Sequence, residues 1–157
     1  MHVKEFYRTF ALIVMLAMAL ITACSSSTEE GIEVHSVWMR PGSQGEDRAV
    51  YFVLHNHSSE SDRLTGVSSD AAESAVLEDS TLTAAAVEIK KLEYVPMQSY
   101  AEIEFKPNGI RVRLFGLKQD FQLQDQFEIV LHFQNRSDLL VQVPVRDFPE
   151  PDSGMNH

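Results

Sequence analysis

Residues 126–145 read QFEIVLHFQNRSDLLVQVPV. Phe127, Ile129, Leu131 and Phe133 alternate with Glu128, Val130, His132 and Gln134, so in an extended strand the first four line one face. A helix, with 3.6 residues per turn, would scatter them around its axis. Asn-Arg-Ser-Asp at 135–138 supplies turn formers, after which Leu139, Val141, Val143 and Val145 share a face again. Two apolar-faced runs joined by a polar turn predict an antiparallel hairpin. Such a hairpin is stable only when another apolar layer covers it.

That layer is read from the rest of the chain. IEVHSVWMR (32–40) alternates, with Val34, Ser36 and Trp38 expected on one face, and AVYFVLHN (49–56) reads as a buried strand. RLTGVSS (63–69), AVLEDS (75–80) and AVEIKKLE (86–93) follow at short intervals, then AEIEF (101–105), the turn KPNG (106–109) and IRVRLFGL (110–117). In the last of these, Arg111, Arg113 and Phe115 point one way and Ile110, Val112 and Leu114 the other. DAAESAVLEDS (70–80) has room for one helical turn, and YVPMQSY (94–100) reads as a loop. About nine strands without a long amphipathic helix predict one all-β domain, an antiparallel sandwich or barrel. Its roughly 115 residues suffice for one core and leave no room for a second domain.

The N-terminus carries an address. Lys4 and Arg8 precede the apolar run ALIVMLAMALITA (11–23), which is too short and wrongly flanked for an ordinary membrane-spanning helix of about 20 residues. ITAC (21–24) resembles the bacterial lipobox, which implies cleavage before Cys24 and lipidation of that cysteine. The division expected is a lipoprotein signal peptide at 1–23, the lipidated Cys24 and a flexible tether at 24–32, the β-domain at 33–147, and a disordered tail at 148–157. The implied location is the bacterial cell envelope, anchored by lipid and facing the periplasm. Ser25 rather than aspartate follows the cysteine, which favours the outer membrane in a Gram-negative cell.

Cys24 is the chain's one cysteine, so a lipidated product has no disulfide, thiolate ligand or cysteine nucleophile. Loss of residues 1–23 removes Lys4, Arg8 and Glu5, taking 13 Lys+Arg and 23 Asp+Glu to 11 and 22, a net charge of −11. Phosphate backbones and anionic headgroups repel such a chain as a whole, which disfavours nucleic acid, and none is expected as a partner. There is no G-x-S-x-G, no H-E-x-x-H and no phosphate-cradling glycine loop. The chain is therefore not expected to be an enzyme.

The ordered pieces resemble a known family. Trp38-x-Arg40, Ala49-x-Tyr51 in a strand ending at Asn56, Asp62-Arg63-Leu64-x-Gly66-x-x-Ser69, Lys106-Pro107-x-Gly109 and Gly116-Leu117-Lys118 are similar, in order and spacing, to the PCu(A)C-type periplasmic copper chaperones. The resemblance runs from about Val34 to Val145. It implies a cupredoxin-like, Greek-key β-sandwich, non-enzymatic work as a Cu(I) carrier, and cytochrome-oxidase assembly as the setting, with an envelope or oxidase-assembly protein as partner.

That family's copper site follows H-x10-M-x21-H-x-M, a set of imidazoles and thioethers suited to soft Cu(I). Laid on this chain without a gap, the pattern falls on Glu78, Ile89, Arg111 and Arg113. A guanidinium keeps its proton and offers no lone pair, an alkyl group has no donor atom, and a lone carboxylate is a hard ligand. The resemblance thus implies a degenerate member, with no cofactor expected and an ion pair between Glu78 and an arginine in place of the metal. Outward-facing arginines, each paired with any nearby acid, are the plainer alternative.

Two further alternatives remain at this stage. Copper could be carried elsewhere, on His55 and His57 (spaced i, i+2), on Met97 in its expected loop, or on Met155 and His157 in the tail; Met39 and His132 are scattered candidates. In the other, the Arg111/Arg113 face binds an anion or an acidic protein segment.

Overall fold

The computed structural model describes residues 31–147 except residue 85. Ten strands form two antiparallel sheets, and among the described residues there is no helix. The larger sheet holds β1 (Ile32–Met39), β2 (Arg48–Asn56), β8 (Ile110–Leu117), β4 (Ala72–Leu82) and β5 (Val87–Leu92) in that order, with β7 (Glu102–Phe105) also paired to β2. The smaller runs β10 (Leu139–Pro144), β9 (Gln126–Phe133), β3 (Asp62–Ser68) and β6 (Val95–Met97). This is the expected all-β sandwich.

The hairpin of 126–145 forms in the register its pattern demands, with Leu131 opposite Leu139 and Phe127 opposite Val143. Ile129, Leu131 and Val143 are fully buried, and across the layer they meet Val50, Phe52, Leu54, Val112 and Leu114 from the larger sheet. The rings of Phe52 and Phe105 stack 4.1 Å apart where β2 and β7 pair. Burying each such side chain contributes about 1.5–3 kcal/mol, and the paired rings add to that.

Four expectations are corrected. Val34, Ser36 and Trp38 do not share a face. A bulge between His35 and Trp38, with Ser36 at φ 54°, shifts the register by one residue. Met39 then takes the core position opposite Val50, while Trp38 crosses to the other face of the sheet, where it stays buried 4.6 Å from the Tyr51 ring. A bulge inserts one residue into a strand and so reverses the facing of everything after it.

Residues 70–80 contain no helical turn. Ala72–Leu82 is a strand pinned between two neighbours, Glu78 facing Arg111 on one side and Lys91 on the other. Ladder hydrogen bonds on both edges override the helical propensity of its alanines. Finally, 94–100 is not all loop: Val95–Met97 pairs with Asp62–Leu64, and both Val95 and Met97 are buried. The start of β1 at Ile32 brings that residue from the expected tether into the sheet.

Candidate functional site

Strand register decides which side chains meet. Residues directly opposite in adjacent strands share a face, as do residues two apart in one strand. Glu78 is opposite Arg111, Ser80 is opposite Ile89, and Val76 is opposite Arg113. Glu78, Ile89, Arg111 and Arg113 therefore all stand on the outer face of the larger sheet, across β5, β4 and β8.

They do different things there. Glu78 is buried, and its Oε1 accepts from Arg111 Nε at 2.7 Å and lies 2.7 Å from Nη2. The two side chains retain only 7% and 12% of their exposure. The 106–109 turn closes over them: Arg111 Nη1 reaches the Pro107 carbonyl at 3.4 Å, and the Ser80 N–H donates to the Gly109 carbonyl at 3.0 Å. Ile89 stands in solvent. Arg113 does not join Glu78. Its Nη2 lies 3.7 Å from Asp47 Oδ2, too far for a hydrogen bond, and its guanidinium is 5.9 Å from the centre of the Phe115 ring.

A carboxylate consumed by a guanidinium, an alkyl chain and two cations supply no soft donor. These side chains do not fit Cu(I). Among the described residues no group of three or more His, Cys, Asp or Glu side chains is placed to hold a metal ion.

The other candidates are placed in different ways. His55 and His57 do come together, ring centroids 3.9 Å apart, and His57 Nε2 is 2.7 Å from Glu33 Oε2. The hydrogen bond from His57, helped by the nearby charges of His57, His35 and His55, holds the Glu33 carboxyl below its ordinary value. Met97 and Met39 are core residues and no rim ligands, because β6 and the β1 bulge turn both inward. His132 bridges β9 to its surroundings, with Nε2 2.8 Å from Ser68 Oγ and Nδ1 2.9 Å from Asp138 Oδ2. That order resembles a nucleophile–base–acid relay, but the Asp138 side chain is 55% exposed and shares its charge with water. Cys24, Met155 and His157 lie outside the described residues.

Sequence reasoning missed a buried polar knot. Asn56 Nδ2 donates to the carbonyls of Glu60 and Gln98 at 2.8 and 2.9 Å, and its Oδ1 accepts from Ser58 Oγ at 2.8 Å. Asp62, whose side chain is wholly buried, accepts from the Arg63 and Asn135 N–H groups and from Arg136 Nε at 2.9 Å. Arg136 Nη2 then donates to Ser58 Oγ at 3.1 Å. The Asn and Asp of the recognised motifs thus serve the scaffold: they tie β2, β3 and the β9–β10 turn together. The signal was in the sequence, as the pairing of a motif aspartate with an arginine in the turn, but the partners are 74 residues apart.

The fold is shared with solved PCuAC domains. The structure solved as "Apo PCuAC domain from PmoF1" superposes with a TM-score of 0.61 at 22% identity, covering 73% of this chain and 92% of that one. "Copper-bound PCuAC domain from PmoF2" gives 0.59 at 21% identity, covering 73% and 91%. Apo-DR1885 from Deinococcus radiodurans gives 0.52 at 24%, covering 76% and 77%. The fold is that of the PCuAC domains, as the sequence resemblance implied. Within that class, the chain belongs to the putative lipoprotein LpqE-like family, whose model matches residues 32–145. No curated protein sequence matches it.

Proposed function

We propose that the chain is a lipid-anchored envelope protein built on a copper-chaperone scaffold whose usual metal site has been replaced, and that it acts by binding and not by catalysis. The observation that carries this reading is the Glu78–Arg111 pair. It stands on the same sheet face as Ile89 and Arg113, and on that face an ion pair and an alkyl group stand where the spacing calls for imidazoles and thioethers. Descent from a Cu(I) carrier for cytochrome-oxidase assembly accounts for the retained fold. The present role is accessory, toward an envelope or oxidase-assembly partner, with lipid on Cys24 as the attachment to the membrane.

Cu(I) titration under reducing conditions tests the reading. The expected result is affinity no stronger than that of an unstructured peptide with equal His and Met content. Tight binding that survives Arg111→Ala and is lost in His55→Ala/His57→Ala would establish the alternative of a relocated copper site, which the 3.9 Å approach of those two rings supports. Incorporation of labelled palmitate that persists in Cys24→Ala would reject the lipid anchor.

A further inference from the structure

Arg113 lies beside Asp47 and away from the Glu78–Arg111 pair. Together with Arg40, Arg48, Asp47 and Tyr51 it lines a notch of about 320 Å³ at the start of β2. Three guanidiniums around one carboxylate are unexpected in a chain of net charge −10.

The cations are held in different ways. Arg48 is fully engaged: Nε donates to the Pro41 carbonyl at 2.7 Å, Nη1 to the Asp47 carbonyl at 2.9 Å, and Nη2 to Glu46 Oε2 at 2.6 Å. It is a fixed wall. Asp47 is spent on the other side, where Oδ1 accepts the Gly116 N–H at 3.0 Å. Gly116 has φ +61°, and an added Cβ would meet the Glu73 carboxyl at 3.0 Å, so the position in β8 that presents this N–H favours glycine. Arg113 is the exception. Its side chain keeps 30% of its exposure, and among the described residues its guanidinium makes no hydrogen bond, approaching Asp47 at 3.7 Å and lying 5.9 Å from the centre of the Phe115 ring. Among those residues its N–H donors have no protein acceptor within hydrogen-bond distance and are left facing the solvent of the notch.

We propose that this notch binds a phosphate group, with Arg113 as the principal donor and Arg40 and Arg48 completing a positive rim. A guanidinium fork pairs with phosphate oxygens in a bidentate way, and a tetrahedral acceptor meets cations arriving from several directions better than a planar carboxylate does. The volume lies at the small end of ligand pockets and suits a phosphate ester of modest size or a lipid headgroup. Tyr51, backed by Trp38, supplies an aromatic wall beside the anion.

Trp38 is the chain's single tryptophan, so its fluorescence reports on this wall. The full chain is titrated with inorganic phosphate, phenyl phosphate and acetate, and its sedimentation with phosphatidylglycerol and phosphatidylcholine vesicles is compared. For the vesicle arm the chain carries Cys24→Ser, which removes its own lipid. Saturable binding of either phosphate, weakened about tenfold or more in Arg113→Gln through loss of charge-assisted hydrogen bonds, supports the site. Binding to phosphatidylglycerol vesicles alone, lost in the same variant, also supports it and assigns a lipid headgroup as the source. Arg40→Gln, at an exposed position, gives the same weakening if Arg113→Gln misfolds. Acetate binding as tightly as phosphate, indifference to both substitutions, or absence of saturation in every arm would overturn the proposal.

Discussion

Arg111 and Glu78 stand directly opposite on β8 and β4, and their 2.7 Å contact is nearly sealed from water by the 106–109 turn. A pair this buried forfeits much of its Coulomb gain to desolvation, yet removing one member strands the other. Arg111→Ala should therefore destabilise the domain by about 3–5 kcal/mol, measured by urea unfolding. Glu78→Leu/Arg111→Met should cost far less than the sum of the single changes. Additive losses would show that the two side chains do not act as a pair.

Asp62 makes a parallel case inside the scaffold. Its carboxylate satisfies two backbone N–H groups and Arg136 with no exposure of its own. Asp62→Ala should lower stability by about 3 kcal/mol or more, since it leaves both buried donors and a largely buried cation unpaired. Loss of amide protection should concentrate at Asn135 and at the Ser58–Asp62 segment. A uniform loss across both sheets would remove the knot as a local tie.

Met97 distinguishes a core residue from a rim ligand. It is buried on β6 against the apolar interior, so Met97→Ala should cost about 2–5 kcal/mol. Copper affinity should be the same before and after the substitution. A metal-affinity change without a stability change would restore the rim reading.

These contacts show what the sequence could tell. The 126–145 hairpin was legible because period 2 and a polar turn leave few alternatives, and the facing of Arg111 and Arg113 followed from the same rule. The bulge was not legible: Ser36 carries no mark of a left-handed φ, and alternation looks unbroken across it. β6 is three residues long, below the length at which a period can be seen. Which arginine would meet Glu78 was likewise undecided, because i, i+2 spacing sets a face but not a cross-strand partner. Register chose Arg111 and left Arg113 to the notch beside Asp47.

Glu33 gives the pH dependence. Its carboxyl sits below the ordinary 4.5, chiefly through the hydrogen bond from His57. A group whose folded value is depressed favours the folded state above its unfolded value, and that contribution is lost as pH falls through the folded one. The effect therefore belongs to the window below about 4.5, and Glu33 is exposed enough for salt to screen it. Carboxyl NMR titration should find Glu33 below its ordinary value, and His57→Ala should raise it. No response to His57→Ala would place the cause elsewhere.

The strongest check on a replaced copper site is to rebuild it. Glu78, Ile89, Arg111 and Arg113 share one sheet face, and the spacing puts a His, a Met, a His and a Met at those positions in the copper-binding pattern. Glu78→His/Ile89→Met/Arg111→His/Arg113→Met should thus set two imidazoles directly opposite each other on β4 and β8, with a thioether to either side on the same sheet face. Removing the ion pair as a unit limits the cost to the fold. The expected outcome is Cu(I) bound at one equivalent, with affinity at least about a hundredfold above the unaltered chain, since two or more donor bonds replace none. Retained folding by circular dichroism with no gain in Cu(I) affinity would mean that these four positions are not the metal frame, and that the Glu78–Arg111 pair arose for stability alone.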